Sequence, residues 1–346
     1  MLRLTFVAHD PGAAQMLYGV VEEARQRKHQ IRFIGDGPAG KIWGEKGECV
    51  EHLNSADQHQ VDQWVSESDL VVTGTGFGWF EKRLWTAFQR RRQKVFAVID
   101  SWSNFKRRFS DDDRPGGLVL PDGIGVVDDW SRGKLADEPW CRVPVYVVGQ
   151  PHLQRSSQNV RERRERRRPN AKTTVVYFSE PIQEDFQDGS RGFDQFGVFL
   201  DMLLQMQADQ AYDIIIKPHP REATHRWAEL ISEWSSKTPH PLALTNKNSD
   251  DLLVQADAVV GMTSMVLVEA ALSMLPVVSC QPGRINAALP IIDDIVPVVL
   301  DMSGFNAELE TGLKRGATTH KKIRGLTQVI ENSTERFIDV IEAIAS

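Results

Sequence analysis

The sequence predicts an α/β protein built from two doubly wound, Rossmann-like domains facing across a cleft. Three observations lead there. Short apolar runs rich in β-branched residues alternate with amphipathic stretches along the whole chain, the pattern of parallel sheets made of βαβ units. The alternation starts afresh after an arginine-rich stretch near the middle. A length of 346 residues exceeds what one ordinary core holds and suits two.

In the first half, residues 1–152, strands are expected at Leu2–Ala8, Gln30–Ile34, Leu70–Thr73, Lys94–Ile99, Gly123–Val127 and Val143–Val148. Ala13–Arg27 and Phe80–Arg92 carry apolar residues at three- and four-residue spacings and read as helices. The basic run Arg161–Arg168 invites a lipid-headgroup or nucleic-acid reading. Residues 153–170 read better as a solvated helix face or an interdomain linker, because charge runs are usually solvated and a new βα series follows directly. In the second half, residues 171–346, strands are expected at Thr173–Phe178, Asp213–Ile216, Leu242–Leu244, Ala258–Val260, Val277–Ser279 and Val296–Leu300. Helices are expected at Gly192–Gln207, Trp227–Ser235, Asp250–Gln255, Met265–Ser273 and Leu326–Ile344, the last of them free to pack back on the first domain.

Composition narrows the function classes. The net charge of −6 leaves no basic excess for a general nucleic-acid binder. Cys49, Cys141 and Cys280 are scattered and odd in number, with neither a disulfide framework nor metal-ligand spacing, so a reducing cytoplasm is expected. The apolar run at the N-terminus is too short for a signal peptide, and nothing approaches the roughly 20 apolar residues of a membrane span. A lipid-linked substrate would therefore be met at the inner face of the membrane, by transient contact.

Six segments carry candidate chemistry, each at the carboxyl end of an expected strand, where open α/β sheets bind ligands. Ala8-His-Asp-Pro-Gly-Ala-Ala14 places His9, Asp10 and Gly12 in a turn that a ligand can approach, with Asp10 also a plain N-cap. Gly74, Thr75, Gly76 and Gly78 hold more glycine than a turn needs and suggest substrate contact at Thr75. Asp100 follows a buried strand as a candidate general base. Trp102, Arg107 and Arg108 come after it, the arginines suited to an anionic substrate. Ser179 and Glu180 form the first turn of the second domain and suit a phosphate or a simple turn. In Lys217-Pro-His-Pro220, two prolines pin the backbone around His219, making it a rigid donor that can grip or protonate a phosphate oxygen beside Lys217. Finally, Thr263 and Ser264 begin a helix whose free amides suit a phosphate, with Glu269 in the second turn within reach of a ribose; capping and a solvent-facing Glu269 are the alternatives.

Lys217-Pro-His-Pro220 together with Gly261-Met-Thr-Ser264 and Glu269-Ala270 resembles the nucleotide-sugar domain of GT-B glycosyltransferases of the bacterial polysaccharide and capsule type. The sialyltransferases and Kdo transferases of that group share a His-Pro motif and a Ser/Thr motif. The resemblance implies that His219 and Pro220 contact the donor phosphate, that Thr263 and Ser264 hold the phosphate or nucleotide, and that an acidic residue of the first domain is the base. Asp10 and Asp100 both match that last role. The Asp-Pro-Gly-Ala turn, Asp100-Ser-Trp-Ser-Asn104 with Arg108-Phe109, and Gly149-Gln-Pro-His152 also resemble proteins of polysaccharide loci.

The expectation is therefore a metal-independent, inverting glycosyltransferase, with a pyrimidine nucleotide sugar as donor and a glycan, lipid-linked or small-molecule acceptor. No cofactor or metal is expected, since no Asp-x-Asp pair follows a strand and Asp111-Asp-Asp113 reads as a loop. The alternatives are a non-hydrolysing sugar-nucleotide 2-epimerase, a CDP-polyol phosphotransferase and a non-catalytic nucleotide-sugar-binding protein.

Overall fold

A computed structural model describes residues 1–52, 58–110, 116–187, 189–206, 212–285, 289–316 and 321–346, with only the backbone at 58–61 and 321–322. Asp111–Asp113 lie outside the described residues. The chain divides into two compact units, Met1–Arg155 with Leu326–Ser346, and Ser156–Gly325.

The first unit runs β1 (Arg3–Ala8), α1 (Pro11–Tyr18), α2 (Val21–Gln26), β2 (Gln30–Gly35), α3 (Gly37–Glu45), β3 (Val50–Glu51), α4 (Gln58–Ser66), β4 (Leu70–Thr73), α5 (Phe80–Arg90), β5 (Val95–Val98), β6 (Gly123–Val126), α6 (Asp129–Ala136) and β7 (Val145–Val147). Its seven strands lie in the order β3-β2-β1-β4-β5-β6-β7, all parallel. β4, β5 and β6 are buried at every position, as a parallel sheet covered on both faces requires. One face packs Phe6, Met16, Leu17, Phe33 and Trp43; the other packs Trp64, Leu84, Trp85, Phe88 and Phe109.

α7 (Pro151–Glu165) leads into the second unit, which continues β8 (Thr174–Phe178), α8 (Ile182–Asp185), α9 (Gln195–Gln205), β9 (Asp213–Lys217), α10 (Thr224–Trp234), β10 (Leu242–Leu244), α11 (Ser249–Gln255), β11 (Ala258–Gly261), α12 (Met265–Leu272), β12 (Val277–Cys280), α13 (Pro290–Ile295), β13 (Val298–Val299) and α14 (Phe305–Arg315). Its six parallel strands follow the order β10-β9-β8-β11-β12-β13. α15 (Lys321–Glu331) and α16 (Ser333–Ala345) close the chain. Phe337, Ile338 and Ile341 of α16 belong to the first unit's core, with Leu4, Phe6 and Leu17. Both sheets are doubly wound, so the fold class is the one expected, two Rossmann-like α/β units.

Three element-level features have local causes. The expected helix Ala13–Arg27 starts earlier, at Pro11, and breaks after Tyr18. At Gly19 a Cβ would stand 2.6 Å from the Pro151 Cβ and 2.8 Å from its backbone carbon, so a close crossing holds that position to glycine. The stretch expected as a solvated helix face or a linker is helical as far as Glu165. Its arginines are spent locally: Arg163 bonds Asp251 at 2.5 Å, and Arg164 donates to the carbonyls of Leu253, Val254 and Ala256 at the end of α11. Arg167 pairs with Asp257. The expected helix Leu326–Ile344 is two helices meeting at Asn332, where the Ser333 hydroxyl accepts the Gln150 N–H at 2.8 Å.

Candidate active site

In a doubly wound sheet the chain crosses to opposite faces on either side of the first strand, leaving a crevice at the carboxyl ends where the strand order reverses. The reversal falls between β1 and β4 in the first unit and between β8 and β11 in the second. The segments singled out from the sequence start at these strand ends or at the adjoining ends of β5 and β9.

In the first unit, β1 delivers His9 and Asp10 just before α1. Asp10 holds the N-cap position in extended conformation, yet its side chain caps no amide. Its Oδ1 instead lies 2.9 Å from His9 Nδ1, with both side chains about two-fifths exposed (40% and 39%). The bond to Asp10 raises His9 above the usual histidine range, burial opposing and the charges of Asp10, Glu81 and Asp36 adding to it. The bond to Asp10 thus favours the protonated imidazole. Glu81, in the first turn of α5, is fully buried and accepts the His9 N–H at 3.0 Å.

Asp100 sits two residues beyond β5. Its Oδ1 accepts from Arg108 at 2.9 Å, and a Cβ on Gly12 would stand 1.9 Å from its Oδ2. Gly12 thus lets Asp100 reach the first turn of α1. The other donors of Arg108 go to the Thr75 carbonyl and hydroxyl, the Ser101 hydroxyl and the Ser103 carbonyl. Buried and bonded to three of these loop segments, Arg108 ties them together. Thr75 is buried and donates to the Val98 carbonyl at 3.0 Å. Trp102 is buried with its indole N–H on Asp128 at 2.7 Å. Arg107 is exposed, its guanidinium 5.1 Å from the centre of the Phe77 ring. Phe77 and Trp79 are themselves exposed, and the sequence reading did not single them out.

In the second unit, β9 ends at Lys217 and the Pro-His-Pro turn follows. His219 Nδ1 accepts the Arg221 N–H at 3.2 Å, so the proton of the neutral ring lies on Nε2. Burial lowers its pKa, with Arg221 and Lys217 lowering it further and Asp185 opposing. His219 is accordingly a neutral imidazole at pH 7 with an Nε2–H donor. The turn is held from behind by Glu222, buried, whose Oε2 accepts the His219 N–H at 2.6 Å and whose Oε1 accepts from Ser179 at 2.8 Å and Trp227 at 3.1 Å. Arg221 forms a two-pronged pair with Asp185, 2.7 Å on each side. Pro220 is exposed and Lys217 half-buried.

The start of α12 departs from expectation. Its amides, read as free for a phosphate, are taken by Glu180. That carboxylate accepts the Thr263 N–H and hydroxyl, both at 2.5 Å, and the amides of Met262 and Ser264. Burial raises the Glu180 pKa against these bonds. A side chain of the protein itself thus occupies the start of the helix. The Ser264 side chain accepts the Val266 N–H as a cap. Glu269 is half-buried on α12 and burial pushes its carboxyl up to about 8. Among the described residues, no three His, Cys, Asp or Glu side chains converge as metal ligands do, and no helix is long and apolar enough to cross a membrane.

Two parallel α/β sheets, each with a reversal in its strand order, are the architecture of the GT-B fold. Solved structures of that fold match nearly end to end. A glycosyltransferase from Rickettsia africae ESF-5 is similar with a TM-score of 0.61 and 12% identity, over 99% of this chain and 98% of that one. HepE of Anabaena, solved in complex with UDP and glucose, matches with a TM-score of 0.61 and 13% identity over the whole of both chains. A UDP-GlcNAc 2-epimerase from Neisseria meningitidis bound to UDP-GlcNAc matches with a TM-score of 0.66 and 11% identity, over 99% of this chain and 100% of that one. No family model matches the sequence, and no curated protein is similar enough in sequence to count as a relative.

Proposed function

We propose that this protein is a metal-independent, inverting glycosyltransferase that moves a sugar from a pyrimidine nucleotide sugar to a hydroxyl of a glycan, lipid-linked or small-molecule acceptor. The observation that carries the proposal is His219: a neutral imidazole with a free Nε2–H, fixed by Glu222 at the strand end beside Lys217. Such a donor stabilises negative charge as it develops on a leaving phosphate. HepE and the Neisseria epimerase were solved with uridine nucleotides, which supports uridine among the pyrimidines.

On this reading Lys217 and the Pro220 turn face the diphosphate, and Glu269 accepts from a ribose hydroxyl. Thr263, Ser264 and Glu180 form the adjoining wall, with the amides of Thr263 and Ser264 already bonded to Glu180. Ser179 acts through Glu222. Asp10 serves as base rather than Asp100, because Asp100 is engaged by Arg108 whereas Asp10 is the more exposed carboxylate (39% against 19%). Arg107, Phe77 and Trp79 supply the acceptor-side surface, the aromatic rings offering apolar faces to a sugar.

Mixing the protein with UDP-glucose or UDP-GlcNAc and following the sugar by NMR tests the proposal. Turnover only with an acceptor, a glycoside inverted at C1, and loss of about 100-fold or more in kcat for His219→Ala are expected. A second reading, a sugar-nucleotide 2-epimerase, is favoured by the carboxyl groups of Asp10 and Glu81 beside His9, since epimerisation needs several acid and base groups around a hexose. Conversion of UDP-GlcNAc without acceptor selects that reading. No binding of any nucleotide overturns both.

A further inference from the structure

The proposed reaction uses Asp10 and leaves its neighbour Glu81 without a role. Glu81 is 0% exposed. Its Oε1 accepts the His9 N–H, whereas its Oε2 is buried with no hydrogen-bond partner. That oxygen lies on the same side of Gly76 as Asp10. A Cβ on Gly76 would stand 2.9 Å from Glu81 Oε2 and 3.0 Å from Asp10 Oδ2, so both oxygens border one small space that the glycine leaves open. Two charged carboxylates sharing such a space, one of them wholly desolvated, repel each other strongly, and one proton between them removes the repulsion.

We propose that Glu81 and Asp10 hold one proton between them, with Glu81 the positioning residue that keeps Asp10 as the ionised, solvent-facing partner. The inference rests on the glycosyl-transfer reading for its role but not for its existence. In the resting pair the proton is on Glu81 and the charge on Asp10, whose other oxygen is bonded to His9. In the reaction, the acceptor O–H bond breaks and its proton passes to Asp10. The acceptor oxygen bonds the anomeric carbon as the bond from that carbon to the phosphate oxygen breaks, the electron pair leaving with the phosphate. The pair then holds two protons, and the exposed Asp10 returns one to water.

The charged groups around Glu81 agree with this assignment. Burial is the main cause that raises its pKa, the amides of Glu81 and His9 opposing, with Asp10 adding to it and the His9 charge opposing. Asp36 acts on His9 from the end of β2. Asp100, packed against Gly12, is paired with Arg108. Lys82, next to Glu81, is turned to the Phe77 carbonyl.

The test uses the full chain and needs neither donor nor acceptor. Below the ordinary glutamate pKa both folded and unfolded states carry the proton. Above it only the folded state does, so Glu81 lowers stability as pH rises towards its folded pKa. Glu81→Gln should therefore gain thermal stability over the parent as pH rises above the ordinary glutamate pKa, and this gain should shrink in an Asp10→Asn background. The infrared difference spectrum of parent minus Glu81→Gln at pH 7 should show the carbonyl stretch of one protonated carboxylic acid, over and above that of Glu269, which is common to both. A pH-independent stability difference, or no such stretch in the difference spectrum, overturns the shared proton; an undiminished gain with Asp10→Asn overturns the pairing with Asp10. Should Glu81→Gln not fold, the stretch compared between parent and Asp10→Asn decides, since Asp10→Asn should shift it. Loss of glycosyl transfer in the NMR assay would sink the functional reading and leave these measurements standing.

Discussion

Glu222 accepts three hydrogen bonds with two oxygens, from the Ser179 hydroxyl, the Trp227 indole and the His219 amide. Removing it leaves buried donors without acceptors, each costing about 1–3 kcal/mol. Glu222→Ala should lower the unfolding free energy by about 3 kcal/mol in urea titration and weaken UDP binding by calorimetry, because the His219 turn loses its anchor. Glu269 responds to pH. Its carboxyl, pushed to about 8 by burial and then by the charge of Asp250, keeps its proton in the fold after the unfolded chain has lost it. Stability is thus unaffected near pH 4 and falls as pH rises towards 8. Glu269→Gln should show a Tm advantage that is small at pH 5 and largest at pH 9. Neither Glu222 nor Glu81 stood out in the sequence. A glutamate in the first turn of a helix or two residues past a proline looks like any solvated acid, and only tertiary placement buries it. Thr75, Trp102 and Arg108 are the converse, polar groups at strand ends that bond inwards to Val98, Asp128 and Asp100.

At the scale of elements, the strands were the most legible. Leu70–Thr73 and Ala258–Gly261 are continuous apolar runs because both faces of a parallel sheet are buried. What escaped had weak local signals: α3 contains three glycines in Gly37–Glu45, and β3 is two residues long. The junctions escaped too, since the breaks after Tyr18 and at Asn332 answer to contacts remote in sequence. Gly149 is one such junction. Its φ is +78°, and a Cβ there would stand 2.1 Å from the Ser333 hydroxyl and 2.8 Å from the Ser333 Cα. Gly149→Ala combines left-handed backbone cost with a backbone clash. It should destabilise the first unit by about 3 kcal/mol in chemical denaturation, with little change in UDP affinity.

For the whole molecule, the two units carry separate cores, and one of them borrows its last wall from the far end of the chain. Phe337, Ile338 and Ile341 are fully buried among residues of β1 and α1, and Arg27 and His29 pair with Glu342. Deleting residues 333–346 removes roughly 5 kcal/mol of apolar burial from the first unit. Calorimetry should then show that unit melting earlier, while the transition of Ser156–Gly325 and its upward shift with UDP persist. The same feature sets an order of assembly on the ribosome. Residues of Ser156–Gly325 form one uninterrupted stretch, whereas the unit whose synthesis begins first lacks part of its core until Ile341 has been added. At ~5–20 residues per second, its sheet waits on the order of tens of seconds with the face that α16 covers open to solvent. The part made first is therefore the part finished last, and it is the one that most needs a chaperone in the interval.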